Sequence, residues 1–314
     1  MRMARRWTRS SRNAERTREK PMPNLLRSSV VGIDITEAHT FMSARRLMSY
    51  AASLGATEDV YLNDLREGGI LGLPSYVISP EWQVMNGAPY RAILGADDAQ
   101  MWRCIHVQQD STVFAPLRPG VHLVTRGRIC ALRQTRIGAY IAVRLKTTIR
   151  NTDEAVAESW FCGIFLGDKV DGPDRSIAEP PAAPTPSGDL VSGTAPILEV
   201  TRTLPHLYTE AADIWNPIHT ERSAARQARL DDTLLHGSCS WGAAGLEIVR
   251  RFADCDPTRL KRLGARMSGQ ALVGASLFLR HNVTDGPTMR RVAFDVVDGT
   301  GRTILSNGIA EIGP

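Results

Sequence analysis

Six residues between Asp213 and Ser238 carry groups suited to acid–base work on a carbonyl compound. Asp213, Asn216 and His219 lie in the stretch Ala211-Ala-Asp-Ile-Trp-Asn-Pro-Ile-His219, and His236, Gly237 and Ser238 follow one short helical segment later. An imidazole titrates near neutrality, so His219 can take a proton and hand it back within one reaction. Pro217 fixes its own φ and disfavours a helical Asn216, so the chain must turn there and leave Asn216 and His219 at a pocket mouth. Gly237 opens a helix. Its lack of a side chain lets a carbonyl oxygen approach unpaired N–H groups at the positive helix end, which suits an oxyanion site. His236 can orient a neighbour by hydrogen bonding or cap the helix. Taken alone, an Asn-Pro step is equally a capping device and a single histidine equally a structural group. The two clusters in succession point to chemistry.

Asn216-Pro-Ile-His219, with Asp213 upstream and His236-Gly237 downstream, resembles the signature of the MaoC-like, enoyl-CoA hydratase 2 type family of hot-dog-fold hydratases and dehydratases. Arg266-Met-Ser-Gly-Gln-Ala-Leu-Val-Gly274 is similar to a strand pattern of that family, and Phe114-Ala-Pro-Leu-Arg-Pro-Gly120 resembles the matching position in an earlier repeat. The resemblance covers about residues 29 to 314. It implies an α+β double hot-dog, two curved antiparallel sheets each wrapped around a central helix. It also implies reversible addition of water to an enoyl thioester of coenzyme A or an acyl-carrier protein. Asp213 and His219 would be the acid–base pair, Gly237 would meet the thioester oxygen, and Asn216, His236 and Ser238 would support binding. No metal or redox cofactor is implied.

One position departs from the family pattern. The catalytic Asp there stands two residues before the Asn, where this chain has Ile214, and Asp213 lies one residue earlier. On a helix one residue is a rotation of about 100°, enough to turn a carboxylate away from a water. The spacing from Tyr208 to Asp213 matches the family's, so a one-residue bulge in 211–215 can restore Asp213 to the site. The alternative is that Asp213 caps the helix or faces solvent, with Asn216 or Glu210 standing in beside His219.

Tyr208 and Trp215 read as core or pocket wall. Ser238 and Ser240 have no Gly-x-Ser-x-Gly context, so neither is a nucleophile candidate. Cys239 at a helix start reads as a small packing residue. Arg250, Arg251, Lys261 and Arg262 are either a phosphate-binding cluster or a solvated face.

The elements that must position these residues fall into two halves. Residues 1–28 form a basic, hydrophobe-poor tail, followed by a strand over Ser29–Ile35. The spacing of Ala44, Leu47, Met48, Ala51 and Leu54 predicts a helix over Ser43–Leu54, with Ser43 as N-cap and Gly55 as stop. The three strands after Gly120 are expected to curl around this helix. Residues 55–109 read as loop-rich. Strands are predicted over Gly120–Leu132, Ile137–Ile149 and Ala155–Leu166. Residues 169–196 are a proline-rich linker dividing a first repeat (29–168), a pocket wall without catalytic motif, from a second (197–314). The second repeats the plan: a strand over Ile197–Thr203, helices over Tyr208–Trp215, Thr220–Ala228 and Ser238–Phe252, then strands over Arg266–Gly269, Ala271–Val283, Thr288–Val297 and Thr303–Ile312.

At 314 residues, 43% hydrophobic and 23% charged, the chain has the composition of a soluble globular protein with one large core or two ordinary ones. Residues 1–21 carry a local charge of +6 out of a net +5. The near-neutral remainder argues against nucleic acid as a partner of the folded part. The tail reads as a disordered extension, a transit peptide or an arm for an acidic partner. No apolar run reaches the roughly 20 residues of a membrane span. Five scattered cysteines without a Cys-x-x-Cys pair indicate neither zinc nor a disulfide framework and fit a cytoplasmic setting. A homodimer is among the assemblies left open. Two other functions stay in play: an isomerase or cyclase using the same pocket, and a non-catalytic acyl-thioester-binding protein.

Overall fold

A computed structural model describes residues 25–182, 188–228 and 230–314. Most of the basic tail and part of the proline-rich connection lie outside the described residues. The first half comprises strands β1 (Leu25–Arg27) and β2 (Asp34–Met42) and helices α1 (Ala44–Ser53), α2 (Asp59–Leu62), α3 (Ile78–Met85), α4 (Ala88–Leu94) and α5 (Asp98–Trp102). Strands β3 (Cys104–Val113), β4 (Val121–Gln134), β5 (Gly138–Ile149) and β6 (Ala155–Leu166) complete it. Short strands β7 (Lys169–Asp171), β8 (Arg175–Ser176) and β9 (Val191–Ser192) punctuate the connection. The second half holds β10 (Leu198–Glu199), α6 (Leu204–Ala212), α7 (Arg222–Gln227) and α8 (Gly237–Phe252), then β11 (Leu260–Met267), β12 (Ser276–Asp285), β13 (Arg290–Asp298) and β14 (Thr303–Ile312).

The two halves share one antiparallel sheet, ordered β10-β12-β13-β14-β11-β3-β6-β5-β4-β2. Its seam is the β3–β11 pair, with Ser111 opposite Leu263 and Asp110 opposite Gly264. Arg262 grips the Asp110 carboxylate there with two bonds, Nε to Oδ1 at 2.9 Å and Nη2 to Oδ2 at 2.7 Å. Gly264 makes room for that carboxylate, since a Cβ on it would sit 2.8 Å from Asp110 Cγ. Strand β3 falls in the region read from sequence as irregular. Gln109, Asp110 and Ser111 are all buried in it. A seam strand that buries hydrogen-bonded polar groups loses the apolar–polar alternation by which strands are recognised.

Helix α1 forms as its spacing predicts: Ser43 Oγ accepts from the Arg46 N–H at 3.2 Å, and Leu47, Tyr50 and Ala51 are buried. The expectation that the first sheet wraps α1 is corrected. The helix against β2, β4 and β5 is α3, whereas α1 packs on α6 of the other half. Helix α3 escaped the periodicity because Pro80 and Glu81 occupy buried positions on it. Pro80 is tolerated in the first helical turn, where its missing N–H has no intrahelical partner. In the second half α8 lies on β11, β13 and β14 and buries eleven of its sixteen residues. No helix among the described residues is long and apolar enough to cross a membrane.

Candidate active site

The loop carrying the motif begins where α6 ends. Asp213, the residue after Ala212, adopts a left-handed conformation (φ 55°, ψ 40°), which Asp tolerates better than most residues. The Ile214 N–H then bonds back to Thr209 O at 3.1 Å and the Ile214 side chain enters the core at 4% exposure. Asn216 is extended, as its place before Pro217 requires, and its Oδ1 accepts from the Ile218 N–H at 3.3 Å to cap the 3-10 turn Pro217–His219. The additional residue relative to the family spacing is thus absorbed by a left-handed residue after the helix, not by a bulge inside it. Two residues of the first half hold Asp213 at the rim: Arg46 Nη1 meets its Oδ2 at 3.2 Å, and Gln83 Nε2 donates to its carbonyl at 3.2 Å. The carboxylate is half exposed.

The structure brings His219, His236 and Gly237 together. His219 Nδ1 lies 2.9 Å from Leu234 O. A carbonyl only accepts, so the neutral ring carries its proton on Nδ1 and keeps the Nε2 lone pair free as a base. Burial lowers the His219 pKa to about 4, with the Leu234 bond acting the other way. The imidazole stacks on that of His236, ring centroids 3.7 Å apart. His236 is 2% exposed and shares a hydrogen bond with Thr209 Oγ1 through Nε2 at 3.2 Å. Burial, then the neighbouring His219, hold it well below its ordinary pKa, with the Ile214 backbone in opposition. Tyr208 packs its ring 5.1 Å from that of His236 and is fully buried, as wall.

Gly237 is the first residue of α8, so its N–H and that of Ser238 have no intrahelical acceptor. The close packing of Met267 demands glycine: a Cβ on Gly237 would lie 2.7 Å from Met267 Cγ. Ser238 is buried at 6% exposure. Cys239 is fully buried, and burial pushes its thiol well above the ordinary range, which fits packing. Glu210 is exposed. Of the basic residues weighed as phosphate ligands, Arg250 pairs with Glu58, Arg251 with Glu247 and Arg262 with Asp110. The reading of these three as an available phosphate cluster is therefore corrected.

A cleft open to solvent lies beside Asn216, walled by Trp82, Met85, Tyr90, Met101, Trp102 and Phe161 of the first half and by Trp215, with Asn86 and Arg91 as its polar members. The sequence offered no register for this wall, because α3, α4 and α5 are short and separated by Gly87 and Gly95. Thr209 and Met267 also went unrecognised; neither residue type signals a role without its neighbour.

The halves are related in detail around this site. The Leu235 N–H bonds to Ala271 O at 3.0 Å, and the Gly72 N–H bonds to Leu117 O at 2.7 Å. Gly274 and Gly120 both take positive φ, at 91° and 86°. Their N–H groups bond to Val200 O and Met42 O, both at 2.8 Å. Counting on from Gly72, the counterpart of His236 is Leu73 and that of Gly237 is Pro74. Leucine has no titratable group and proline no N–H to offer an oxyanion. The first half keeps the scaffold of the site without its chemistry.

Comparison with known proteins agrees with this architecture. Residues 193–308 match the MaoC like domain, and residues 29–159 match the FAS1-like dehydratase domain region. A probable enoyl-CoA hydratase 2 of Dictyostelium discoideum is 23% identical over 216 residues, covering 67% of this chain and 70% of that protein. The mouse peroxisomal multifunctional enzyme type 2 is 28% identical over 109 residues, 34% of this chain but only 14% of that enzyme. The solved structure of a MaoC-like dehydratase from Phytophthora capsici superposes with a TM-score of 0.74 at 17% identity, covering 90% of this chain and 95% of that one. With its motif loop and its helix-end glycine in these places, the second half of the chain is a MaoC-like domain, joined to a first half that matches a FAS1-like dehydratase region.

Proposed function

We propose that the protein is a hydro-lyase that reversibly adds water to an enoyl thioester, with His219 as the acid–base group. The observation that carries this reading is the Nδ1–Leu234 bond, which leaves a neutral Nε2 free close to the start of α8. In the hydration direction Nε2 takes a proton from water as the water oxygen bonds to Cβ. The electron pair of the double bond moves toward the thioester carbonyl, and the Gly237 N–H meets the charge growing on that oxygen. The proton then returns to Cα, so that one water is added and the imidazole ends neutral. Burial suits the cycle, because a base with a pKa near 4 is unprotonated at neutral pH. Names of the related proteins from Dictyostelium and mouse support the same reaction class.

Asp213 is the open partner. Its pairing with Arg46 favours a rim role, anchoring the motif loop to the first half, over direct contact with the water. Ser238, Asn216 and His236 are assigned to shaping and binding. The finer parts of the proposal are coenzyme A or a carrier protein as the bearer of the thioester, a homodimeric assembly and a cytoplasmic location. The five free cysteines support a reducing compartment.

Crotonyl-CoA and longer enoyl-CoA thioesters test the reaction directly. Loss of enoyl absorbance with incorporation of solvent oxygen is expected from the wild type and not from His219→Gln. Turnover without solvent oxygen would favour isomerisation or cyclisation in the same pocket, to which a single acid–base group is also suited.

A further inference from the structure

We propose that Tyr208 is a positioning residue for His219, acting through His236, and that Tyr50 of the first half braces it, an inference that rests on the hydro-lyase reading above. Five rings form one continuous column. Starting at the proposed base, His219 stacks on His236 with centroids 3.7 Å apart, and His236 meets Tyr208 at 5.1 Å. Tyr208 then meets Tyr50 at 5.8 Å, and Tyr50 meets Tyr76 edge-on at 5.3 Å. The three tyrosines are completely buried, so none of them is placed to touch substrate.

Tyr50 and Tyr208 are counterparts in the two halves. Each precedes a left-handed residue at the end of its helix, Gly55 (φ 83°) after Tyr50 and Asp213 (φ 55°) after Tyr208. The next N–H bonds back into the helix in the same way on both sides, Ala56 to Ala51 O at 3.0 Å and Ile214 to Thr209 O at 3.1 Å. Helices α1 and α6 pack on each other, which brings the two rings together. Beyond this point the halves diverge. The second half offers His236 to its tyrosine, whereas the first half has Leu73 at the matching place, and Tyr50 turns its hydroxyl to Ser75. That hydroxyl lies 3.1 Å from Ser75 O and 3.2 Å from Ser75 Oγ. Gly242 of α8 leaves room for it, since a Cβ there would sit 2.8 Å from the Tyr50 oxygen. Tyr50 is thus the anchored end of the column.

His219 depends on such support because, among the described residues, its ring has one hydrogen bond, Nδ1 to Leu234 O. A single N–H···O bond fixes one direction and leaves the ring free to tilt about it. Face contact with His236 removes that freedom and so aims Nε2. His236 is placed in turn by Thr209 Oγ1 at 3.2 Å on its edge and by Tyr208 against its ring. Without the Tyr208 ring, His236 can tilt and His219 with it, and an acid–base group tolerates little misplacement.

The test uses the full chain with crotonyl-CoA and compares Tyr208→Leu, which removes the ring, with Tyr208→Phe, which keeps it. Tyr208→Leu should lower kcat by about tenfold or more with KM within about twofold of wild type, and Tyr208→Phe should keep kcat within about twofold. Tyr50→Phe cuts the tie to Ser75 and should lower kcat by about threefold, a loss that disappears when position 208 is already Leu. An unchanged kcat in Tyr208→Leu, or an equal loss in Tyr208→Phe, overturns the positioning role; additive losses at the two positions overturn the brace. Tyr208→Met, which fills more of the same space, takes the place of Tyr208→Leu if that variant does not fold. Imidazole nitrogen NMR, with the His219 signals assigned by their loss in His219→Gln, separates the two levels of inference. The wild type should show the Nδ1–H tautomer and Tyr208→Leu a mixture of tautomers. That change without turnover of any enoyl thioester keeps the positioning role and rejects the hydro-lyase. Identical His219 signals in the two proteins reject the positioning role whatever the turnover.

Discussion

The imidazole of His219 stacks on that of His236 with centroids 3.7 Å apart and planes inclined by 25°. Burial depresses both pKa values, and the contact makes a doubly protonated pair costlier still, since two like charges at this distance repel. Leu234 O on one side and Thr209 Oγ1 on the other hold the pair in place. Each of the expectations below follows from this arrangement or from the seam and helix that support it.

Replacing His219 by Gln removes the base and should lower kcat by about 10²–10⁴-fold with little change in melting temperature. Asp213→Asn should cost under about tenfold, as a rim anchor would and a general base would not. Steady-state kinetics on a reactive enoyl-CoA decide between the two roles; a loss as large as that of His219→Gln returns Asp213 to the water.

The acid limb of kcat/KM should fall near pH 4, not near the 6.5 of an ordinary imidazole. The same depression acts on stability. An unfolded histidine takes up its proton as pH falls through 6.5, before the folded one does, so His219 and His106 destabilise the fold increasingly between pH 6.5 and about 4, and His236, also depressed by burial, acts in the same direction. Urea titrations at pH 7 and pH 5 measure the difference.

Glu81 acts in the opposite direction. It is 1% exposed on α3, accepts from Gln109 Nε2 at 2.9 Å, and burial raises its pKa to about 7. Its contribution is fully present below pH 4.5 and lost as pH rises through 7. Glu81→Gln should therefore stabilise the protein by about 3 kcal/mol above pH 8 and leave it unchanged at pH 4.5. Equal effects at both pH values would show that packing, not ionisation, decides.

Gly237→Ala should slow catalysis more than it unfolds the protein. The added Cβ meets the Met267 side chain, a cost of about 1–2 kcal/mol, and pushes the oxyanion N–H away from its position. Combining it with Met267→Ala should recover part of kcat, which stopped-flow or steady-state rates of the double variant would reveal.

Asp110→Ala removes one partner of the buried fork at the seam and leaves Arg262 without its main counter-charge. A loss of about 3 kcal/mol is expected, visible as a lower chemical-denaturation midpoint. The variant Asp110→Ala, Arg262→Met should lose less, because no uncompensated charge remains.

Much of this protein is legible in one dimension. Helix α1 is recognisable from apolar residues at helical spacing behind Ser43, and β4, β5, β6 and β14 from long runs rich in β-branched residues between turns. The motif loop and the α8 start are legible because Pro217 and Gly237 constrain the backbone through their own covalent structure, whatever surrounds them. Tertiary structure alone decided which helix each half wraps. Helix α3 carries a buried Glu81 whose burial is tolerable only beside Gln109 of the seam strand β3, and that strand hides its own character in the same way. It also decided the direction of Asp213. A carboxylate at the end of a helix is free to cap, to face water or to pair, and its pairing with Arg46, more than 160 residues earlier in the chain, forms only once α1 has packed on α6.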